Sequence, residues 1–268
     1  MDWKSKTWET EDVLFAQKRK VTNKGSNKRP HFIGSFPSRK NPNAEWITQW
    51  ESLNERLFYY LLELDPHTVR YYTQPVEVQI PFLNKEGEQG TWLHTPDVLF
   101  FRQGLKPYLC QVKESPADIT PKMETCNKHS RLFAEKQGWE YLMVYPKMMP
   151  EIIKKNLEFL MGCIKKRQGY REWIGMLLRR IQDLGKIPVK DISLSFKFQA
   201  NPLFINTIVY HMIAIGLLST DISLPLTPDS FVWPADDTRY YLTDNSEKVG
   251  GVLELCSAQS KLQVLSLR

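Results

Sequence analysis

Two short apolar stretches, Thr95–Phe101 and Tyr108–Lys113, are joined only through Arg102-Gln103-Gly104-Leu105-Lys106-Pro107. Strand side chains alternate between the two faces of a sheet, so Gln111 and Lys113 point to one side while Cys110 and Val112 point to the other. If the two stretches are hairpin neighbours, Asp97, which follows Pro96 at the head of the first strand, shares the face of Gln111 and Lys113. A carboxylate, an amide carbonyl and an ammonium then converge within a few ångströms.

The surroundings of this pair define a fold class. Upstream, Trp46, Trp50, Leu53, Leu57, Leu61 and Leu64 recur at three- and four-residue steps, a single apolar stripe that predicts one helix. Asn43 is its expected N-cap, and Asp65-Pro66 its stop. Val69–Phe82 reads as a strand or bent strand, ended by the turn Asn84–Gly90. A helix is expected from Thr120-Pro121 to Gly138, a strand over Glu140–Tyr145, and a further helix over about Glu151–Cys163. This order gives an α/β core with a small mixed sheet flanked by helices.

At 268 residues the chain is long for one core and comfortable for two. Lys165-Lys166-Arg167-Gln168-Gly169 reads as a boundary. The expected division is a basic N-terminal arm over 1–44, an α/β domain over 45–165 and a C-terminal domain over 166–268. In the last, helical patterns at Tyr170–Leu184 and an apolar Pro202–Leu218 precede β-like pieces at Asp221–Leu226 and Ser230–Trp233. Two helices and a small hairpin are compatible with a winged-helix module. No apolar run reaches the roughly 18–20 residues of a membrane span, and no secretory signal is expected at the start, so a cytoplasmic protein is expected. Cys110, Cys126, Cys163 and Cys256 lack zinc-ligand spacing, and are expected to be reduced, mostly buried thiols.

Charge is unevenly placed. The net excess is only +6, which permits a polyanionic partner without establishing one. Yet Val13–Ala44 contains no acid and carries Lys18, Arg19, Lys20, Lys24, Lys28, Arg29, Arg39 and Lys40. Gly25, Ser26, Asn27, Pro30, Gly34, Pro37 and Pro42 interrupt any regular element there. These eight cations are candidates for tracking DNA phosphates, a salt-dependent and sequence-independent interaction; the alternative is a solvated tail.

The convergent strand residues suit metal-dependent phosphodiester hydrolysis. Mg²⁺ takes oxygen ligands, commonly one or two carboxylates together with waters and substrate phosphate. Asp97 offers a carboxylate, Gln111 a neutral carbonyl oxygen, and Val112 a main-chain oxygen. Lys113 is placed to orient a nucleophile and to stabilise developing charge. On the upstream helix, Glu51 and Glu55 lie one turn apart, off the apolar stripe, and either could be a further ligand.

Asp97, Gln111 and Lys113, in the pattern P-D-x(13)-Q-x-K, resemble the restriction-endonuclease-like nucleases, whose usual pattern is PD-(D/E)-x-K. Glutamine in place of the usual acid resembles one branch, the TnsA-type subunits of heteromeric bacterial transposases. The basic arm, the glutamate-bearing helix, the Tyr72-Thr73-Gln74-Pro75 segment and the strand Glu140–Tyr145 extend the likeness over about residues 10–165. The resemblance implies a restriction-endonuclease-like α/β core with helices on both faces of a mixed sheet, and a smaller winged-helix-like C-terminal domain. It places the helix glutamate at Glu55, with Glu51 as a substitute, and implies Mg²⁺ (or Mn²⁺) held by Glu55, Asp97 and Gln111. The implied activity is cleavage of the 5′ strands of double-stranded DNA at transposon ends. The implied partners are a TnsB-type recombinase and a TnsC-type ATPase regulator that contacts the C-terminal domain, and the implied location is the bacterial cytoplasm, near the nucleoid. A free-standing restriction or repair nuclease and a non-catalytic DNA-binding assembly subunit are the competing readings.

Overall fold

The structure, a computed structural model, describes residues 1–21, 32–84 and 86–235. Lys24, Lys28 and Arg29 lie outside the described residues, as does the segment 236–268. The fold is mixed α/β. Two compact units divide the described chain, the first comprising 1–63 and 67–148 and the second 64–66 and 149–235. The division therefore falls at Met148/Met149 rather than after residue 165, and the helix expected to close the first domain belongs by its contacts to the second unit.

In the first unit the elements run α1 (Glu9–Leu14), β1 (Gly34–Pro37), α2 (Asn43–Trp46), β2 (Ile47–Trp50), α3 (Leu53–Leu64), β3 (Thr68–Thr73), β4 (Val78–Leu83), β5 (Gln89–His94), β6 (Val98–Arg102), β7 (Tyr108–Val112), α4 (Pro121–Lys136) and β8 (Glu140–Val144). Its main sheet has the order β3-β6-β7-β8, antiparallel except for the parallel pair β7–β8. The β6–β7 register sets Val98 against Cys110 and Leu99 against Leu109.

Helices cover both faces. The Phe58 ring of α3 meets Phe100 edge-on at 6.2 Å, and Phe58, Leu61 and Leu62 are buried. On the other face, Leu99, Phe101 and Leu109 pack with Tyr72, with Phe15 beyond α1 and with Ala134 of α4. β4 and β5 form a separate antiparallel hairpin around the turn at Asn84–Glu88. β3 and β4 are two strands where Val69–Phe82 is expected as one, and β5 is a strand not expected from the sequence.

Two further expectations are corrected here. The helix does not begin at Asn43. Ser52 caps α3 instead: its hydroxyl accepts the Glu55 N–H at 3.1 Å, and the Glu55 carboxylate accepts the Glu51 N–H at 2.8 Å, a variant of the reciprocal capping box. Ile47–Trp50 is drawn into strand pairing, with Gly34 facing Trp50. A Cβ at Gly34 would sit 2.3 Å from the Trp50 ring, so only glycine lets that indole lie across β1.

The N-terminal segment is also not a loose arm over its described part. Trp3 donates through Nε1 to the Leu105 carbonyl at 2.8 Å, and the Lys18 N–H donates to the Gln74 carbonyl at 3.0 Å. Arg70 pairs with Asp12, whose Oδ1 also accepts from the Tyr72 hydroxyl at 2.7 Å. A basic, proline-punctuated sequence still orders here because Trp3, Trp8 and Phe15 supply apolar surface to the sheet.

Farther along, the β1–α2 connection is fixed by Glu63, which is fully buried. Its carboxylate accepts from the Ser38 hydroxyl at 2.6 Å, the Tyr71 hydroxyl at 3.1 Å and the Arg39 N–H at 2.8 Å. The Arg39 guanidinium stands 3.6 Å from the same carboxylate, and Lys40 Nζ donates to the Leu62 carbonyl at 3.0 Å. Arg39 and Lys40 are thus engaged at the C-terminal half of α3.

The second unit contains α5 (Glu151–Cys163), α6 (Tyr170–Leu184), β9 (Ile187–Pro188), α7 (Val189–Ser195), α8 (Pro202–Ala214), β10 (Leu218–Thr220) and β11 (Phe231–Pro234). Its antiparallel sheet has the order β10-β11-β9. The β-like piece expected at Asp221–Leu226 is instead a turn, because the Asp221 carboxylate accepts the Ser223 N–H at 2.9 Å, a local bond that competes with strand pairing.

Replacing Glu63 with alanine leaves two buried hydroxyls and a main-chain N–H without their shared acceptor. We expect a loss of about 2–4 kcal/mol in urea unfolding. Arg39→Ala, which touches the same carboxylate from a half-exposed position, should cost no more than about 1 kcal/mol. Equal losses for the two would show that the ion pair, not the hydrogen-bonded acceptor, holds the connection.

Candidate active site

The site forms where β6 begins, β7 ends and α3 starts. Pairing of Val98 with Cys110 carries the next residues, Asp97 and Gln111, opposite one another on one face. The Gln111 amide donates to Asp97 Oδ2, and the Val112 N–H donates to the same oxygen at 2.6 Å. Asp97 is further held through its backbone: its N–H donates to the Cys110 carbonyl at 3.0 Å, while its carbonyl accepts from the Gln74 N–H at 2.8 Å and the Tyr59 hydroxyl at 3.3 Å. Lys113 follows directly, its N–H continuing the parallel ladder to the Val144 carbonyl at 2.9 Å.

Glu55 enters from the first turn of α3, its carboxylate oriented by the Glu51 N–H and the Ser52 hydroxyl. Burial pushes the Glu55 carboxyl up to about 8, and the neighbouring Asp97 charge pushes the same way. Burial also pushes Asp97 up, to about 6, against the opposing pull of the Lys113 ammonium, the Val112 N–H and Arg19. Two carboxylates thus share one desolvated corner, with a lysine and an arginine as the nearby positive charges.

Glu55, Asp97, Gln111 and Lys113 are therefore brought together, and Val112 joins them through its main chain. Glu51 takes a different part. Its carboxylate binds the Arg19 guanidinium, while its main chain serves Glu55. Of the cations read as a DNA-tracking arm, Arg19 alone is tied to this cluster by an ion pair among the described residues; Lys18 and Lys20 are exposed beside it in sequence.

Three participants escaped the sequence reading. His94, at the end of β5, stands beside Gln111; burial pushes its imidazole below the ordinary value, and the Lys113 and Arg19 charges push the same way. Gln74 links the Asp97 strand to the N-terminal segment from a left-handed backbone conformation, φ +50°, uncommon for a residue with a side chain. Tyr59, buried on α3, reaches the Asp97 strand through its hydroxyl. Only Gln74 left a trace in the sequence, as part of the Tyr72–Pro75 segment.

The donor set can be tested against a hard divalent cation. Gln111 Oε1 is buried and makes no hydrogen bond of normal geometry, its polar neighbour besides the acids being the His94 ring, an unusual state for a buried amide oxygen. It sits beside two carboxylates whose mutual repulsion a cation would relieve. Carboxylate and amide oxygens are the donors Mg²⁺ prefers, so the residues fit. His94 Nε2 is a second buried atom without a hydrogen bond of normal geometry. Among the described residues no cluster of three or more His, Cys, Asp and Glu side chains has the arrangement of a metal centre, which leaves two acids and one amide as the side-chain donors. No protein-family model and no curated protein matches the chain.

The carboxylate pair dictates a pH dependence of stability. A carboxyl raised on folding adds stability that is fully present below its ordinary value, 4.5 for Glu55 and 3.8 for Asp97, and is lost as pH rises through about 8 and about 6. The metal-free protein should therefore lose unfolding free energy between about pH 4 and pH 8. Glu55→Gln should flatten the upper part of that slope when urea midpoints are measured across the range. An unchanged slope would mean that Glu55 is not protonated in the folded state.

Proposed function

We propose that the protein is a Mg²⁺-dependent DNA endonuclease of the restriction-endonuclease-like kind, acting as the 5′-strand-cleaving subunit of a heteromeric transposase. The observation that carries this reading is the cross-strand contact of Asp97 with Gln111, with Glu55 and Lys113 at the same corner. Such a polar convergence costs stability through desolvation, and a hydrolytic site explains why a chain would keep it.

Glu55, Asp97 and Gln111 Oε1 would hold the cation, with the Val112 carbonyl as a further donor; when bound, Mg²⁺ or Mn²⁺ supplies polarisation of the phosphate and a more acidic water. The chain's own groups do the positioning. The hydrogen bonds from Gln111 and the Val112 N–H fix the Asp97 carboxylate, and the α3 cap fixes Glu55. Lys113, close enough to pull on the Asp97 charge, orients the nucleophile and meets the negative charge that develops on the phosphate. Lys18, Arg19 and Lys20 bring positive charge to the rim, where duplex DNA approaches.

The second unit supports a winged-helix-like reading by its order after α5, helix, strand, two helices and two strands, with the last strand in the middle of the sheet. In that reading α8 would be the recognition helix, but it carries neither Lys nor Arg, and eight of its residues are buried. A helix that reads a DNA groove needs cations and polar side chains for phosphates and bases. That makes α8 a core helix of its unit rather than a groove reader; a TnsC-type ATPase regulator would contact this unit, as the family resemblance implies, and a TnsB-type recombinase would process the other strands.

Asp97→Ala and Lys113→Ala should each lower cleavage at least 100-fold with Mg²⁺ and the recombinase and ATPase partners present, while partner binding is retained. Full activity of Asp97→Ala would remove the site assignment. The wild-type protein alone should be nearly silent; efficient cutting of specific sites without partners would favour a free-standing restriction enzyme.

A further inference from the structure

Arg19 belongs to the N-terminal segment, yet three contacts place it at the candidate site. Its guanidinium pairs with the Glu51 carboxylate. The Gln74 amide, in the orientation that satisfies both its ends, accepts from Arg19 Nη2 at 3.1 Å and donates to the Arg19 carbonyl at 2.7 Å. Its charge also reaches the buried Asp97 carboxylate and the His94 ring.

The same Gln74 binds the Asp97 carbonyl through its N–H and the Lys18 N–H through its carbonyl. One buried residue thus ties the arginine to the strand that carries the metal-site carboxylate. Glutamine is held there in the left-handed region, φ +50°, a conformation that costs backbone energy and persists where surrounding structure enforces it.

The Arg19–Glu51 pair itself is exchangeable. The arginine side chain is 56% exposed and the glutamate 23%. Ion pairs at that exposure are weak and screened, whereas guanidinium and a phosphodiester match in charge and in fork geometry. Glu51 is free to exchange without disturbing Glu55, because its service to Glu55 is through its main-chain N–H.

We propose that Arg19 is a phosphate-binding residue of this site and that the Glu51 carboxylate is its displaceable latch, exchanged for a DNA phosphodiester when the duplex docks. The proposal rests on the DNA-cleaving reading for its substrate. It assigns Arg19 a single phosphate beside the carboxylates, in place of diffuse tracking, and it gives Glu51 a role distinct from that of a metal ligand.

The test is a double-mutant cycle of duplex DNA affinity. The full-length protein is titrated with a 30-base-pair duplex in Ca²⁺ over a range of salt, and urea unfolding establishes that each variant is folded. Arg19→Ala should weaken binding and reduce the salt slope by about 0.9, the value of one lost phosphate contact. Glu51→Gln should tighten binding several-fold, because no carboxylate then competes with the phosphate. In the Arg19→Ala background the same Glu51→Gln change should be worth less than about twofold.

Tightening that persists undiminished without Arg19 would mean that Glu51 acts only through the general field, and would overturn the latch. An unchanged slope in Arg19→Ala, or no binding of DNA by the wild type, would overturn the phosphate assignment. Cleavage is measured separately on the same variants, with Mg²⁺ and the recombinase and ATPase partners present. An intact cycle with no cleavage by any protein would count against the nuclease reading alone, and a failed cycle in a protein that cleaves would count against the latch alone.

Discussion

Two carboxylates in one buried corner are the constraint around which the first unit is arranged. Glu55 and Asp97 repel each other where water screens poorly, and desolvation opposes the charge on each. An arrangement of that kind survives only if donors are fixed in advance. The Val112 N–H and the Gln111 amide meet Asp97, and the Glu51 N–H and the Ser52 hydroxyl meet Glu55. The two main-chain donors cannot drift. The Val112 N–H is part of a sheet strand, and the Glu51 N–H belongs to the cap of a helix whose far end is pinned through Glu63.

The apolar layers supply the stability that the corner gives up. Leu99, Phe101 and Leu109 on one face, and Phe58 against Phe100 on the other, lie one or a few residues from the acids. Burying each large side chain is worth roughly 1.5–3 kcal/mol, so a few neighbours offset a strained polar cluster. This accounts for the N-terminal aromatics. Without Trp3, Trp8 and Phe15 the outer face of the sheet would be open to water, the segment bearing Arg19 would lose its anchorage, and the dielectric near Asp97 would rise.

The legible parts of the molecule were those written in local spacing. The strands β6 and β7, with only Arg102–Pro107 between them, set Asp97 across from Gln111, and the sequence Pro96-Asp97 marks where the strand begins. The start of α3 was written just as locally, as Ser52-Leu53-Asn54-Glu55, a capping-box signature. It was overridden by the coincidence that Trp46 and Trp50 continue the helical period. Those tryptophans serve nonlocal purposes: Trp50 lies across Gly34, and Trp46 stacks on Arg70 at 4.7 Å. His94 and Gln74 carried no local signal of proximity to the acids, because strand pairing and a left-handed turn bring them there. The extent to which the basic segment packs was also hidden, since its charge and prolines describe its solvent side and its sparse aromatics describe the buried one.

The position of the positive charge follows from the same electrostatics. On the proposed nuclease reading, a cation placed on the acids permanently would neutralise them and leave nothing for a metal to relieve; one far away would do nothing for a phosphate. Lys113 pulls on Asp97 from the end of β7, and Arg19 is held a step outward by Glu51. The corner therefore keeps an unmet demand for positive charge, expressed in two raised carboxyl groups and in an amide oxygen with no hydrogen bond of normal geometry. Folding alone would favour replacing such a cluster with packed apolar side chains. Its retention, beside an arginine held by a weak ion pair with Glu51, is the physical reason to test for an anionic substrate and a divalent cation at this point of the chain.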